Sequence, residues 1–214
     1  MTLVLLIRHG ENDYTRAGKL AGWTPGVSLN EAGQKQALAL VEKLKAAPLA
    51  AVYSSPLERA RETAAPLAEA KKLTVEIVEG LGEVRYGEWQ GKSLKRLART
   101  KLWRTVQGVP SAMRFPGGET FRSVQSRAVE AVEALVKRHP KDAIAVVSHG
   151  DVIKLVVAHY LGLPMDLFQR VMISTASITV LRLGQGHPAL VKLNDTNGVE
   201  VSHPHQPRRK KKRA

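Results

Sequence analysis

Cysteine is absent from the 214-residue chain. Disulfides, thiolate metal sites and thiol nucleophiles are therefore excluded, and a reducing compartment fits. Apolar runs long enough to span a membrane are missing too, and the amino terminus lacks the charged segment that opens a signal peptide. A cytoplasmic location with no membrane partner is expected. Internal repeats and domain linkers are also lacking. One α/β domain is expected over residues 1–202, large enough for a proper core.

Acidic charge is in deficit. Nineteen Asp and Glu face 33 Lys and Arg, a net charge of +14. Six of those cations form one block, Arg208 to Arg213, and without them +8 remains, which suits a binder of anions. The block follows His203-Pro204-His205-Gln206-Pro207 and contains no apolar residue. Residues 203–214 therefore read as a disordered, solubilising tail and not as a nucleic-acid arm.

What the chain does have is two apolar runs with the same ending. Leu3 to Ile7 leads into Arg8-His9-Gly10, and Ala143 to Val147 leads into Ser148-His149-Gly150. Uninterrupted apolar runs read as strands buried on both faces. In open α/β sheets, ligands bind at the carboxyl ends of such strands. If the two strands are parallel neighbours, two imidazoles share one rim.

Between them the pattern alternates. Residues 11–27 read as a long loop, a length usually kept for function. Asn30 is a fitting N-cap for a helix over 31–46. A strand over 50–53 follows, then a helix to Lys72 capped by Ser55, with Pro56 at its first position and Pro66 inside it. A strand over 75–78, a loop over 80–91 and helices over 93–106, 120–139 and 151–161 complete the alternation. Strands over 178–183 and 189–192 flank Gly184-Gln185-Gly186 as a hairpin. The predicted fold is a three-layer α/β/α sandwich with a mainly parallel sheet and one antiparallel edge strand.

Arg8-His9-Gly10-Glu11 resembles the signature of the histidine phosphatase superfamily, the phosphoglycerate mutase-like proteins. Further stretches agree in order: Gly22-Trp23 before Leu29-Asn30-Glu31, Ser54-Ser55-Pro56-Leu57-Glu58-Arg59-Ala60, Leu81-Gly82-Glu83, Phe115-Pro116-Gly117-Gly118-Glu119 and Ser148-His149-Gly150. The resemblance covers about residues 3 to 183, more like the phosphatase-type branch. It implies phosphoryl transfer through a phosphohistidine, and the residue types suit that independently. A neutral imidazole at His9 is a good nucleophile near pH 7. Arg8 and Arg59 supply planar forks for phosphoryl oxygens, and His149 supplies a further donor. His149 and Gly150 precede a helix whose N-terminal amides favour an anion. Glu83 occupies the family position of the acid that protonates the leaving group, in competition with Glu88 and Glu11.

Where the family often has Thr and then Asn after its first motif, this chain has Asn12 and Thr15, and Thr15 remains a candidate phosphate contact. Trp23 is taken as a pocket wall, with Trp89 as wall or core. Asp151 reads first as a helix cap, and otherwise as a carboxylate selecting a cation or hydroxyl on the substrate. Arg61 reads as a surface cation, His139 as a helix C-terminal cation and His159 as structural.

The expected function is metal-independent hydrolysis of a small-molecule phosphomonoester, with no cofactor and with oligomeric state open. A bisphosphoglycerate-dependent phosphoglycerate mutase is the alternative. A non-catalytic phosphate-binding module stands behind it, because binding alone requires neither nucleophile nor acid.

Overall fold

The computed structural model describes residues 1–197. The expected domain end at 202 and the basic tail over 203–214 lie outside the described residues. In chain order the elements are β1 (Thr2–Arg8), α1 (Asp13–Arg16), α2 (Glu31–Lys43), β2 (Leu49–Ser54), α3 (Glu58–Ala70) and β3 (Val75–Ile77). There follow α4 (Leu94–Leu97), α5 (Lys101–Gly108), α6 (Phe121–Arg138), β4 (Ala143–Ser148), α7 (Gly150–Tyr160), β5 (Ile178–Leu183) and β6 (Ala189–Asp195).

The sheet order is β3-β2-β4-β1-β5-β6. β1, β4, β2 and β3 are parallel, and the β5–β6 hairpin adds the antiparallel edge. Side chains of a strand alternate between faces, and here each face is covered. Leu3, Leu5 and Ile7 pack with Val52 and Val147 against Leu40, Ala60, Ala64 and Leu67 of α2 and α3. Val4 and Leu6 pack with Ile144 and Val146 against Val124, Ala128, Val152 and Val156 of α6 and α7. The expected three layers are present because β1 and β4 are apolar on both faces.

The register of β1 on β4 places Arg8 opposite Ser148. His9 and His149, the next residues, leave the sheet side by side, joined by a hydrogen bond from His9 N to Ser148 O at 2.9 Å. The rim is held from the other side by Thr63 of α3. Its Oγ1 accepts from Gly10 N at 2.9 Å and donates to Arg59 O at 2.7 Å.

Several local expectations are corrected. The helix predicted over 93–106 is two helices, α4 and α5, because Thr100 turns its Oγ1 back to Leu97 O and stands as the N-cap of α5. Leu57, not Ser55, is the N-cap of α3, so Pro56 precedes the helix. Ser55 Oγ is turned instead toward His149 Nε2, 2.7 Å away. α3 continues through Pro66 to Ala70. The long loop after His9 contains the single turn α1, closed by a capping box between Asn12 and Thr15.

The turn after β1 depends on two glycines in contact. A Cβ on Gly10 would lie 2.7 Å from Gly33 O, and one on Gly33 would collide with Glu11 O. Both colliding atoms are backbone, which cannot swing aside. Gly33→Ala is therefore expected to destabilise the fold by about 1–3 kcal/mol, the usual cost of overpacking, measured by urea denaturation. An unchanged midpoint would show that this turn yields freely.

Candidate active site

His9 is buried, and its Nδ1 donates to Gly10 O at 2.7 Å. That bond sets the ring tautomer and leaves the Nε2 lone pair facing the site. Arg59 Nε lies 3.4 Å from Nε2. Burial, then the Arg59 and Arg8 guanidinium charges, hold the His9 pKa well below the usual imidazole value. The ring is therefore neutral at physiological pH.

Arg59 is 1% exposed on the first turn of α3, and no carboxylate among the described residues pairs with it directly. Its Nη2 reaches Gly22 O at 2.9 Å and His149 Nδ1 at 3.3 Å, while Nη1 has no partner among the described residues. Arg8 Nη1 donates to Ile173 O at 2.7 Å, and its buried Nε is likewise unpartnered. The guanidinium lies over the start of α7, where a Cβ on Gly150 would sit 3.3 Å from Arg8 Nε. Buried donors without partners are costly, and two forks with spare N–H groups beside a helix N-terminus form an anion site.

The rings of His9 and His149 stand 5.1 Å apart. Burial and then Arg59 push the His149 pKa well below its ordinary value. Because a hydroxyl both donates and accepts, Ser55 Oγ on Nε2 supports either His149 tautomer. His149 Nδ1 can accept from Arg59 or donate to an oxygen.

Glu83 faces the same space, with Oε2 3.8 Å from His149 Nδ1 and Oε1 accepting from Val84 N at 2.9 Å. Burial first, and the Asp151 carboxylate second, raise its pKa to about 7. Glu88 is exposed, and the Glu11 carboxylate accepts from Asn30 Nδ2 at 2.9 Å. Neither lines the cavity, whereas Glu83 does.

Arg8, His9, Arg59 and Glu83 open into one cavity of about 280 Å³. Thr15 lines it, but its hydroxyl is engaged with Asn12 N and Asn12 O. Trp89 and Trp103 line it together with Phe115 and Phe121. These rings and Tyr86 meet edge-to-face or stacked at 5.1 to 6.2 Å between centroids, a rigid apolar floor.

Trp23 is a correction. It does not line the cavity. Its Nε1 donates to Glu83 O at 2.6 Å and its ring lies 3.6 Å beneath the Arg85 guanidinium, so it braces the acid's loop from outside. Gly82 leaves room for that ring, where a Cβ would collide with it. Asp151 is also corrected. The N-cap of α7 is His149, and the Asp151 carboxylate enters the cavity, accepting from Tyr86 OH at 2.9 Å. His139 is the C-cap residue of α6, bonded through Nε2 to Tyr53 OH at 2.7 Å, while Arg61 and His159 are exposed.

Sequence reasoning overlooked Arg127. It pairs with Glu119 through Nε at 2.9 Å and Nη2 at 3.0 Å. The same guanidinium donates to the carbonyls of Gly80, Gly82 and Glu83 at 2.8 to 2.9 Å. Glu119 Oε2 also accepts from Arg85 N at 2.8 Å. The acid's loop is thus clamped to α6. The one signal available was Glu119, conspicuous at the end of Pro116-Gly117-Gly118.

Comparisons with known proteins point to one family. The family model of the histidine phosphatase superfamily (branch 1) matches residues 4–196. Phosphoserine phosphatase 1 of Hydrogenobacter thermophilus is 31% identical over 198 residues, 92% of this chain and 93% of that protein. A metal-independent phosphoserine phosphatase of Arabidopsis thaliana is 34% identical over 162 residues, 73% of this chain and 67% of that protein. The crystal structure of a phosphoserine phosphatase mutant from Entamoeba histolytica, in complex with phosphoserine, superposes with a TM-score of 0.83 at 28% identity. It covers 92% of this chain and 98% of that one.

Two outcomes follow from the clamp and the burial. Arg127→Ala is expected to lower stability by about 1–3 kcal/mol, the cost of leaving partners unsatisfied, and to reduce turnover of alkyl phosphates; melting and kinetics on one sample check both. The Glu83 carboxyl, followed by ¹³C NMR, is expected to titrate near pH 7. Asp151→Asn removes a charge that raises that pKa, so its midpoint is expected to move down.

Proposed function

The chain belongs to the histidine phosphatase superfamily and is a phosphatase, and from that premise we propose that it hydrolyses a small phosphomonoester through a phosphohistidine on His9, without a metal. The observation that carries this reading is the His9 ring: neutral, tautomerically set by Gly10 O, and presenting Nε2 beside the Arg59 fork.

In the first step the His9 Nε2 lone pair forms a bond to phosphorus as the bond from phosphorus to the alcohol oxygen breaks. Charge spreads over the three equatorial oxygens, where Arg8, Arg59 and His149 donate hydrogen bonds. Glu83, protonated in part because its pKa is about 7, passes its proton to the departing oxygen. In the second step water attacks phosphorus and gives its proton to the Glu83 carboxylate. The phosphorus–nitrogen bond breaks, and phosphate leaves with His9 restored. Positioned acids of this kind contribute roughly 10²–10⁴-fold.

The buried cations neutralise the transferring group, which is the work a metal does elsewhere. Among the described residues no group of three or more His, Asp and Glu side chains is arranged to hold one. A phosphoglycerate mutase would use the same residues but needs its phosphohistidine kept from water. Only 66 positions separate Glu83 from His149. Apart from Phe121 at the start of α6, the helices in that interval which wall the cavity, α4 and α5, are only four and eight residues long. That supports net phosphate release.

His9→Ala is expected to abolish turnover and the acid-labile, base-stable label left by a radioactive phosphomonoester in rapid-quench samples. Glu83→Gln is expected to lower kcat for alkyl phosphates about 10²–10⁴-fold and to affect p-nitrophenyl phosphate, whose leaving group needs no proton, far less. Chelators should leave activity intact. Loss of activity with EDTA and its return with magnesium would overturn the metal-free reading. Bisphosphoglycerate-dependent interconversion of phosphoglycerates without phosphate release would identify a mutase instead.

A further inference from the structure

The cavity that contains His9 is also lined by a pair of opposite charges from the first turns of α7, Asp151 and Lys154. Lys154 Nζ lies 3.3 Å from Asp151 Oδ1 and 3.2 Å from Gln169 Oε1. The side chains of Lys154 and Asp151 are only 17% and 20% exposed. Asp151 Oδ2 is also held by Tyr86 OH, so the carboxylate is positioned from both ends. All four residues line the cavity that contains His9.

Neither charge is saturated by these bonds. An ammonium has three donors and Lys154 uses two, and a carboxylate has about four acceptor sites of which Asp151 uses two. A spare cationic donor and a spare anionic acceptor thus stand next to each other, in the same cavity as the Arg8 and Arg59 forks. A ligand carrying a carboxylate and an ammonium on one carbon complements that pair pole for pole. The cavity, about 280 Å³, is small for a ligand site. It suits a short ligand.

We infer that Asp151 and Lys154 read a zwitterionic amino-acid head group, so that the substrate is the phosphate ester of a short hydroxyamino acid. The assignment rests on the phosphatase reading above. Asp151 receives the substrate ammonium, Lys154 receives the carboxylate, and the ester oxygen faces Glu83. Phosphoserine, named for the relatives, is the shortest such ester. A simple sugar phosphate has neither pole.

The test is kcat/KM for O-phospho-L-serine, 3-phosphoglycerate (hydroxyl in place of the ammonium) and O-phosphoethanolamine (no carboxylate). It uses the full chain and the variants Asp151→Asn and Lys154→Met. All three esters leave as unactivated alcohols, so any change in the acidity of Glu83 cancels in their ratios. The native protein is expected to favour phosphoserine over each of the others by at least 10-fold. Asp151→Asn is expected to collapse the preference over 3-phosphoglycerate, and Lys154→Met the preference over phosphoethanolamine, each mainly through KM. Ratios that move in neither variant overturn the assignment and leave the pair structural. A native protein that ignores all three yet hydrolyses p-nitrophenyl phosphate through His9 overturns the assignment alone. One inactive on every monoester overturns the phosphatase reading and this inference with it.

Discussion

The site depends on one backbone constraint, the parallel pairing of β1 and β4 with Arg8 opposite Ser148. A slip of one residue would turn each strand's side chains to the other face, burying Arg8 against a helix layer and separating the two imidazoles. The slip is forbidden because both faces of both strands are packed. On one side Val4 and Ile144 meet α6 and α7, and on the other Leu5 and Ala145 meet α2 and α3. The hydrophobic core thus determines the 5.1 Å separation of the His9 and His149 rings.

On that rim the protein concentrates positive charge that its own groups do not balance. Arg8 and Arg59 each retain a buried N–H without a partner among the described residues, and both histidines are driven neutral by burial and by those guanidinium groups. Such an arrangement is unfavourable for the isolated fold and favourable for an arriving dianion. The donors are already oriented, so an anion bound there would require little reorganisation of the protein. The same burial acts on Glu83 in the opposite sense, raising its pKa where it lowers that of a histidine, because desolvation disfavours whichever form is charged. One environment therefore holds a neutral imidazole and a carboxyl that is protonated in part near neutral pH.

The supporting elements keep these groups in place from a distance. Thr63 ties Gly10 to α3, Ser55 braces His149, and Arg127 with Glu119 clamps the loop of Glu83 to α6. Trp23 supports the same loop from outside the cavity. The aromatic residues, only 5% of the chain, are gathered largely beneath the cavity, where rigid rings give a floor that does not relax around the ligand.

Much was legible in the amino-acid sequence because it is carried by local pattern. The apolar runs ending in His9 and His149 announce buried parallel strands, and Arg8, Arg59 and Glu83 stand in motifs whose order is itself informative. The alternating strands and helices announce the layers. What the chain alone could not show is direction. Asp151 at the start of a helix looks like a cap, and only the packing of α7 against the loop of Tyr86 turns its carboxylate into the cavity. Trp23 next to a motif glycine looks like a wall, and only the space left by Gly82 draws its ring outside. Arg127 lies in a helix with nothing local to mark it, yet it reaches three carbonyls 44 to 47 positions away. Residue type and spacing determine which groups reach the rim, while the orientation of each side chain depends on contacts distant in sequence and is settled only by the tertiary fold.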